Sequence, residues 1–326
     1  MAGHPARNAP QHWGHAAKSG KPDIARVVVR LGRNPSPFRL EFRVPAFESA
    51  LDSLSSAKLT DTESTSLQIM ACRGRIDATS ILRSQQRSGA WSALPDSGPE
   101  NCFHTALALL ALRASTTGRE MPLPAARAFA WLDSIAGVED HWLWKWKFRY
   151  FDRQVRFDPT KTGWPWVEGT VSWVAPTAMV ILAHRAWARE APRLSKAVQM
   201  ILDRACPQGG WNAGNSEVFG VALDPHPDFT AMALLALQGR VEPSQPMITR
   251  SLDYLVLRLK DSQSLYSLGW GALALGVWRH RECDGMLARL RRQLVSIDPA
   301  SVSARPLAMA ILAYDPPPFL KPGGRP

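Results

Sequence analysis

Segments of about ten residues, made almost entirely of Ala, Leu and other apolar residues, recur along this chain from about residue 80 onward. Most follow a turn that contains Gly, Trp or Pro, and the segments are residues 103–112, 175–183, 228–237, 267–275 and 305–313. Their first Thr, or the residue equivalent to it, stands at positions 105, 177, 230, 269 and 307, so the last two steps are 39 and 38 residues. That spacing is typical of a repeated helical hairpin.

A helix that is apolar on every side has no polar face for water, so other helices must surround it. Residues 124–136, 191–205 and 249–259 carry apolar residues at helical spacing with charges between them, which predicts a second, amphipathic helix in each repeat. We therefore predict an all-α fold over residues 46–320: an α/α toroid, with an inner and an outer ring of about a dozen helices in total. An open superhelical array of hairpins is the alternative architecture, because its stacked hairpins would cover the apolar helices in the same way.

The ends of the chain differ from the repeats in composition. Residues 1–45 contain eight Lys and Arg against two Asp and Glu, a balance of +6 within a net charge of +11. We expect a basic, partly disordered extension here. Within it, residues 24–44 contain β-branched residues and alternating stretches that could form a short β-hairpin. A disordered tail is expected over residues 321–326. The basic extension is expected to be a solvated end or to touch an anionic membrane surface. Because no nucleic-acid module follows it, no nucleic-acid partner is expected.

Composition favours one large domain in a reducing compartment. The 326 residues are 45% hydrophobic, and thirteen of them are Trp. The four Cys residues lie far apart without a CxxC pair, which argues against a disulfide framework. No run of about 18 apolar residues and no apolar signal segment occurs, so a cytoplasmic or peripheral membrane protein is expected.

Two of the turns carry a recognisable motif. Gln85, Gly89 and Trp91 have the spacing Gln-x-x-x-Gly-x-Trp, and residues 208–211 read Gln-Gly-Gly-Trp. These repeats resemble those of protein prenyltransferase β-subunits and of squalene and oxidosqualene cyclases. The resemblance implies a toroid with a dry cavity, in which aromatic faces hold an isoprenoid and stabilise a carbocation. The aromatic residues it suggests as substrate contacts are Trp164, Trp166, Trp173, Trp211 and Phe229.

The segment Asp224-Pro-His226-Pro-Asp228-Phe229-Thr-Ala resembles the acid motif of the cyclases. Aligned on its Thr-Ala, the resemblance implies that Asp228 is the proton donor, that His226 replaces the first Asp of that motif, and that Asp224 is a further catalytic candidate. A lone carboxylic acid protonates an epoxide more easily than an alkene, so an oxygenated or activated substrate is favoured. The alternative role of Asp228 is a helix N-cap, because it lies two residues before a Thr.

A zinc site is the weaker possibility that the prenyltransferase resemblance implies. Cys102 and His104 lie beside the Thr of the first repeat, where the segment Phe-His-Thr resembles the His segment of those enzymes. The Asp and Cys of the zinc triad are not assembled with them, and isolated Cys and His are usually structural. No cofactor is therefore expected, with zinc as the alternative.

The segment 141–156 combines Trp, Phe and Tyr with Lys and Arg. Read as one helix, it places Lys145, Arg149, Arg153 and Arg156 on one face, and Trp144, Phe148, Phe151 and Val155 on another. The aromatic face could pack on the helical ring or enter a membrane interface, and Lys145, Arg149 and Arg153 could hold a diphosphate or lipid headgroups. The alternative is an outer helix with a solvated charged face.

Two function classes remain open at this point. The first is an isoprenoid- or terpenoid-handling protein of the cyclase or prenyltransferase type, with Asp228 as general acid. The second is a non-catalytic toroid that binds a lipid or a protein partner. Because the families it resembles use a second helical domain or subunit, a helical partner subunit is also expected. The sequence does not name the substrate or the product, and the same fold serves proteins of unrelated activity.

Overall fold

The structure is a computed structural model that describes residues 45–95, 97–116, 118, 120–151 and 156–323. The predicted hairpin at residues 24–44 and most of the basic extension therefore lie outside the described residues, as do residues 324–326. Thirteen α-helices occupy the described part: α1 Pro45–Ser56, α2 Thr62–Ala71, α3 Thr79–Arg83, α4 Cys102–Ser115, α5 Leu123–Ser134, α6 Trp142–Tyr150, α7 Val174–Ala186, α8 Arg193–Asp203, α9 Pro227–Leu237, α10 Pro246–Leu259, α11 Leu265–Val277, α12 Cys283–Val295 and α13 Ala304–Tyr314.

Short elements fill the connections between these helices. Strands β1 Ser92–Leu94 and β2 Ser97–Glu100 form one antiparallel hairpin, and β3 Glu217–Val218 and β4 Val221–Ala222 form another. Single 3₁₀ turns occur at Val138–Asp140, Pro299–Ser301 and Pro318–Leu320. The prediction of an all-helical fold is confirmed for the described part of the chain, apart from these two small hairpins.

Helices of the apolar repeat pack on one another in sequence order. We call α2, α4, α7, α9, α11 and α13 the inner helices. Each of them packs against the next one along the chain, and α13 packs against α2, so this series of contacts returns to its start. The amphipathic helices lie against them: α5 on α4, α8 on α7, α10 on α9 and α11, and α12 on α11 and α13.

The Trp of three repeat turns is anchored in the same way each time. The backbone N–H of the Trp donates to a Thr hydroxyl in the first turn or two of the following inner helix, over 2.9–3.0 Å, in the pairs Trp91 with Thr105, Trp164 with Thr177 and Trp211 with Thr230. The indole N–H donates to a carbonyl oxygen of an earlier helix, namely that of Ile81 in α3, Leu132 in α5 or Ile201 in α8. Each turn thus joins two helices, which explains why the Trp and Thr recur together.

The inner helices are buried on all sides for most of their length. Every residue from 174 to 184 of α7, from 230 to 237 of α9 and from 268 to 277 of α11 is buried. A cavity large enough for a hydrocarbon would leave accessible side chains along these helices. The side chains of these stretches are covered by neighbouring residues of the described part of the chain and leave little surface for a ligand.

Candidate functional site: a polar cluster at the inner helix N-termini

Polar side chains gather in the first turns of five inner helices. They occupy the second or third helical position after the N-cap in each case, and we call them the polar cluster: Glu63 of α2, His104 of α4, Asp228 of α9, Tyr266 and Ser267 of α11, and Arg305 of α13, together with the α2 N-cap Asp61. Helix N-termini carry free N–H groups and a partial positive charge, so acidic groups are favoured there.

Arg305 ties the last inner helix to the first. Its guanidinium nitrogens lie 3.0 Å from an Asp61 carboxylate oxygen and 3.1 Å from one of Glu63, and its Nε donates to the Ser64 hydroxyl over 3.0 Å. Burial alone would raise the pKa of Asp61, but the hydrogen bonds from Ser64 and the charge of Arg305 together lower it. The Tyr266 hydroxyl donates to the other Glu63 oxygen over 2.9 Å, which brings α11 into the same network.

Asp228 is the carboxyl group of the cluster without an ion pair to a Lys or Arg among the described residues. Its side chain is 16% exposed, and its buried Oδ1 has no hydrogen-bond partner there. Burial raises the pKa of Asp228 above its ordinary 3.8, although hydrogen bonding with Ser267 and the charge of His226 act in the opposite direction. A carboxyl group with a raised pKa retains its proton to higher pH and is suited to act as a general acid.

His226 takes the capping role that the sequence suggested for Asp228. His226 is the N-cap of α9, and its Nδ1 accepts the N–H of Asp228 over 3.4 Å, while Asp228 is the second residue of the helix. The N-cap interpretation of Asp228 is therefore wrong. The same imidazole nitrogen lies 3.9 Å from an Asp228 carboxylate oxygen, so His226 can interact with the candidate acid.

Asp224 does not join the polar cluster. It is exposed in the connection before α9, and its charge acts on Cys206 and Tyr254 on the side of α10. Of the three predicted catalytic residues, the structure therefore brings together Asp228 and His226 and leaves Asp224 apart.

His104 and Cys102 have environments that favour uncharged side chains. Burial lowers the pKa of His104 to about 4, helped by the charge of Arg305, and the buried Nδ1 of His104 has no hydrogen-bond partner among the described residues. Burial raises the pKa of the Cys102 thiol to about 12, so the thiol stays protonated near neutral pH. The described residues contain no group of three His, Cys, Asp or Glu placed to hold a metal, and the zinc alternative gains no support from the structure.

The five predicted aromatic contacts fall into two groups. Trp164 and Trp211 have no exposed surface, and their indole N–H groups donate to the carbonyl oxygens of Leu132 and Ile201. Their prediction as ligand contacts is therefore corrected. Trp166, Trp173 and Phe229 are half-buried near the N-terminal ends of the inner helices. The Trp166 ring lies 5.0 Å from that of Phe103, and the Phe229 ring lies 5.3 Å from that of His226.

Two of the predicted basic contacts, Lys145 and Arg149, lie on α6 and do not contact the polar cluster within the described residues. Lys145 pairs with Asp140 over 3.0 Å, and Arg149 is exposed beside the ring of Tyr150. Arg153 lies outside the described residues. The sequence analysis missed Glu63, Tyr266 and Arg305. Only Arg305 shares its place in the repeat alignment with Asp228, two residues before the Thr or its equivalent, whereas Glu63 lies before the first aligned repeat.

Comparisons with known proteins give a likeness of fold. No protein-family profile matches the chain, and no curated protein matches it. A solved protein from Actinoplanes is 16% identical, with a TM-score of 0.52, over 83% of this chain and 98% of that one. At this identity the match shows a shared fold and gives no information about activity.

Two further solved structures resemble the chain more weakly. The native form of α2-macroglobulin from Escherichia coli is 12% identical, with a TM-score of 0.46, over 82% of this chain and 16% of that one. The apo type II terpene cyclase MstE from Scytonema is 15% identical, with a TM-score of 0.32, over 67% of this chain and 78% of that one. These values are too low to assign a function, and the isoprenoid families suggested by the repeats are not identified by them.

Proposed function

We propose that this chain is an α/α toroid whose ligand site is the polar cluster at the N-terminal ends of the inner helices. The series of inner-helix contacts that runs from α2 to α13 and returns to α2 supports the closed arrangement. The alternation of apolar inner helices with amphipathic helices packed against them supports the double ring. Within such a ring, the polar cluster would lie around one opening.

The proposed reaction is proton donation by Asp228 to an oxygenated isoprenoid-derived ligand. One observation carries this proposal: the Asp228 carboxyl group is partly buried, has a raised pKa, and keeps Oδ1 free of protein partners in the described part of the chain. Buried polar atoms in native proteins are usually hydrogen-bonded, so a free oxygen indicates a place for water or ligand. His226 and Ser267 would hold the carboxyl group in position.

The packed interior limits how the ligand could bind. Because most of α7, α9 and α11 is buried against neighbouring residues, the ligand would lie at the opening, with Trp166, Trp173 and Phe229 as its apolar contacts. An epoxide or another basic oxygen is favoured over a bare alkene, because burial raises the pKa of Asp228 and so makes it a weaker acid. The protein would need no metal for this step.

The second candidate function is a non-catalytic toroid that binds a lipid, a protein or a helical partner subunit. The burial of most of α7, α9 and α11 favours this candidate, since it leaves less surface for a hydrocarbon than an isoprenoid enzyme of this type would need. In this case the free oxygen of Asp228 would hold a water molecule or a polar group of the partner.

The two candidates can be separated by product analysis. The purified chain is incubated with squalene, oxidosqualene and prenyl diphosphates, and the products are identified by mass spectrometry beside the variants Asp228→Asn and Asp224→Asn. If Asp228 is the acid, its variant should lose at least about a hundredfold in turnover, as is typical of a removed general acid, while Asp224→Asn retains activity.

Two outcomes would contradict the proposed role of Asp228 as an acid. Turnover that survives Asp228→Asn would exclude this residue as the acid. No product from any of the substrates, together with an unchanged fold by circular dichroism, would favour the non-catalytic toroid. Native mass spectrometry of the same preparations would then show whether any substrate binds without reacting.

A further inference from the structure

Helix α6 exposes aromatic side chains to an unusual extent. None of its residues is buried, and Trp142, Trp146 and Tyr150 are 72%, 51% and 57% exposed. These three residues are spaced four apart, so they form one stripe along the helix, beside the exposed Leu143. Such a contiguous apolar surface usually marks an interaction site.

The opposite side of α6 faces other aromatic residues of the protein. The Phe148 ring lies 5.2 Å from that of Phe157 and 5.8 Å from that of Trp144. Of the aromatic face expected from the sequence analysis, Phe148 makes this contact, whereas Phe151 is 66% exposed. That analysis did not identify the second aromatic stripe, formed by Trp142, Trp146 and Tyr150, which points away from this contact.

Basic residues flank the exposed stripe on both sides. At helical spacing, Lys145 and Arg149 lie along one edge of the stripe, and Lys147 lies along the other. Lys147 and Arg149 are exposed and have no ion pair with a described carboxylate, whereas Lys145 pairs with Asp140. The Lys147 ammonium lies 4.6 Å from the centre of the Trp144 ring, so it sits between the stripe and the opposite aromatic side of α6.

A second exposed apolar tip lies beside the segment that follows α6. Phe219 and Val221, in the hairpin of β3 and β4, are 71% and 64% exposed. Arg156 connects the two regions, because its backbone N–H donates to the Glu217 carbonyl oxygen and its guanidinium lies 3.3 Å from the Glu217 carboxylate. Phe219 has a φ of +51°, a backbone conformation uncommon for a bulky residue, at the turn that presents its ring to solvent.

We propose that the α6 stripe, together with the β3–β4 tip, docks on an anionic lipid bilayer, with α6 lying in the plane of the interface. Trp and Tyr rings are favoured at the level of the lipid headgroups, and Lys and Arg beside them attract anionic lipids. This combination of exposed indole rings and flanking cations selects a charged membrane surface over an acidic soluble partner. No described helix has the length and hydropathy needed to cross a bilayer, so the contact would be peripheral.

The position of α6 in the chain relates this contact to the proposed ligand site. Helix α6 lies in the connection between α5 and α7, and the 3₁₀ turn before it is hydrogen-bonded to the segment that leads into α7, through Val138 N–H to the Thr170 carbonyl oxygen. The β3–β4 hairpin likewise lies in the connection that leads into α9. Both apolar surfaces therefore belong to the end where the inner helices begin. The docking proposal stands on residues outside the polar cluster and does not depend on the proposed function.

Vesicle co-sedimentation of the full chain tests the proposal. Vesicles of pure phosphatidylcholine are compared with vesicles that contain about 30 mol% phosphatidylglycerol. Two α6 variants are used, W142S/W146S/Y150S and K147E/R149E. Their matched controls are L123S/L257S, which changes two exposed Leu residues on other helices, and K58E/R83E, which changes two exposed cations elsewhere.

The expected result is binding to the anionic vesicles with little binding to the neutral ones. Each α6 variant should lower the partition coefficient by about tenfold or more, because each interfacial aromatic and each basic residue contributes separately. The control variants should stay within about twofold of the original chain, since their residues lie outside this surface. Circular dichroism of all variants would show an unchanged helix content, because the altered side chains of α6 are exposed.

Three outcomes would overturn the proposal. Equal binding to anionic vesicles by the original chain and W142S/W146S/Y150S would assign binding to the basic extension of residues 1–45, which every variant retains. Absence of binding to the anionic vesicles would exclude the membrane contact directly. A dimer in light scattering that W142S/W146S/Y150S converts to a monomer, without vesicle binding, would identify the stripe as a contact between two copies.

Discussion

At the residue scale, the recurring Trp and Thr residues differ sharply from Asp228 in how completely their polar atoms are satisfied. Thr230 is fully buried, and its hydroxyl group accepts the N–H of Trp211 and donates to the Trp211 carbonyl oxygen. Two residues earlier, Asp228 keeps a buried oxygen without a partner in the described part. A satisfied buried group supports the fold, whereas an unsatisfied one costs stability and is retained where it serves another purpose.

This difference predicts that Asp228→Asn stabilises the protein at neutral pH. Burial raises the pKa of Asp228 above 3.8, so the native state binds its proton more tightly than the unfolded state. The carboxyl group therefore costs stability as the pH rises from 3.8 through the raised pKa, and this cost is present at pH 7. Urea unfolding at pH 7 should show a gain on the order of 1 kcal/mol for the variant.

The pH dependence provides the internal control for this prediction. Below pH 3.8 the carboxyl group is protonated in both states, so the gain of Asp228→Asn should disappear there. Asp224→Asn, at an exposed position, should change stability little at either pH. A loss of stability at pH 7 in Asp228→Asn would mean that the ionised carboxylate is favourably bound in the native state.

At the element scale, the inner helices approach each other closely where the sequence supplies Gly. Gly269 of α11 lies against the backbone of α13, and a Cβ at this position would be 2.6 Å from the Met309 carbonyl oxygen. At Gly271, the atom that a Cβ would meet is instead the Cδ1 of Leu259, the flexible end of a side chain on α10. These two glycines of one helix therefore tolerate a methyl group to different degrees.

We predict that Gly269→Ala is more destabilising than Gly271→Ala. The first should lower the free energy of unfolding by about 1–3 kcal/mol, because the backbone of α13 must move. The second should cost less, since Leu259 can rotate and Ala adds about 0.5–1 kcal/mol of helix preference. Urea unfolding of both variants under one condition measures the difference, and equal values would contradict the close contact of α11 and α13.

At the scale of the whole molecule, the first and last inner helices hold each other. Arg305 of α13 pairs with Asp61 and Glu63 of α2, and Arg73, just after α2, pairs with Asp315 just after α13 over 2.7 Å. The apolar faces of α2 and α13 are also packed together. These contacts join residues more than 240 positions apart in the chain, so they depend on the complete set of repeats.

A truncation tests whether this closure is essential. A chain that ends at residue 303 lacks α13 and would expose the apolar sides of α2 and α11. For a closed ring, we expect loss of the cooperative thermal transition in circular dichroism, because both neighbours lose their partner. An open array loses only the stability of one repeat and one interface, so a cooperative transition with a modestly lowered midpoint would favour the open superhelix.

The sequence by itself determined the helical type of the main elements and their order from α4 onward. The repeated apolar segments, their Trp turns and the amphipathic segments between them specify inner and outer helices, because a helix without a polar face must be surrounded. The sequence also singled out Asp228, through its place at the start of an apolar repeat. These are local properties, and periodicity records them directly.

Only the tertiary structure decided which polar groups meet and which aromatic residues remain exposed. Arg305 and Glu63 are far apart in the chain, so their pairing follows from the return of α13 to α2. The burial of Trp164 and Trp211, and the exposure of Trp142 and Trp146, depend on what packs against each side of a turn or helix. Trp is therefore part of the packed interior at one position and of the outer surface at another, and the sequence pattern alone does not distinguish the two.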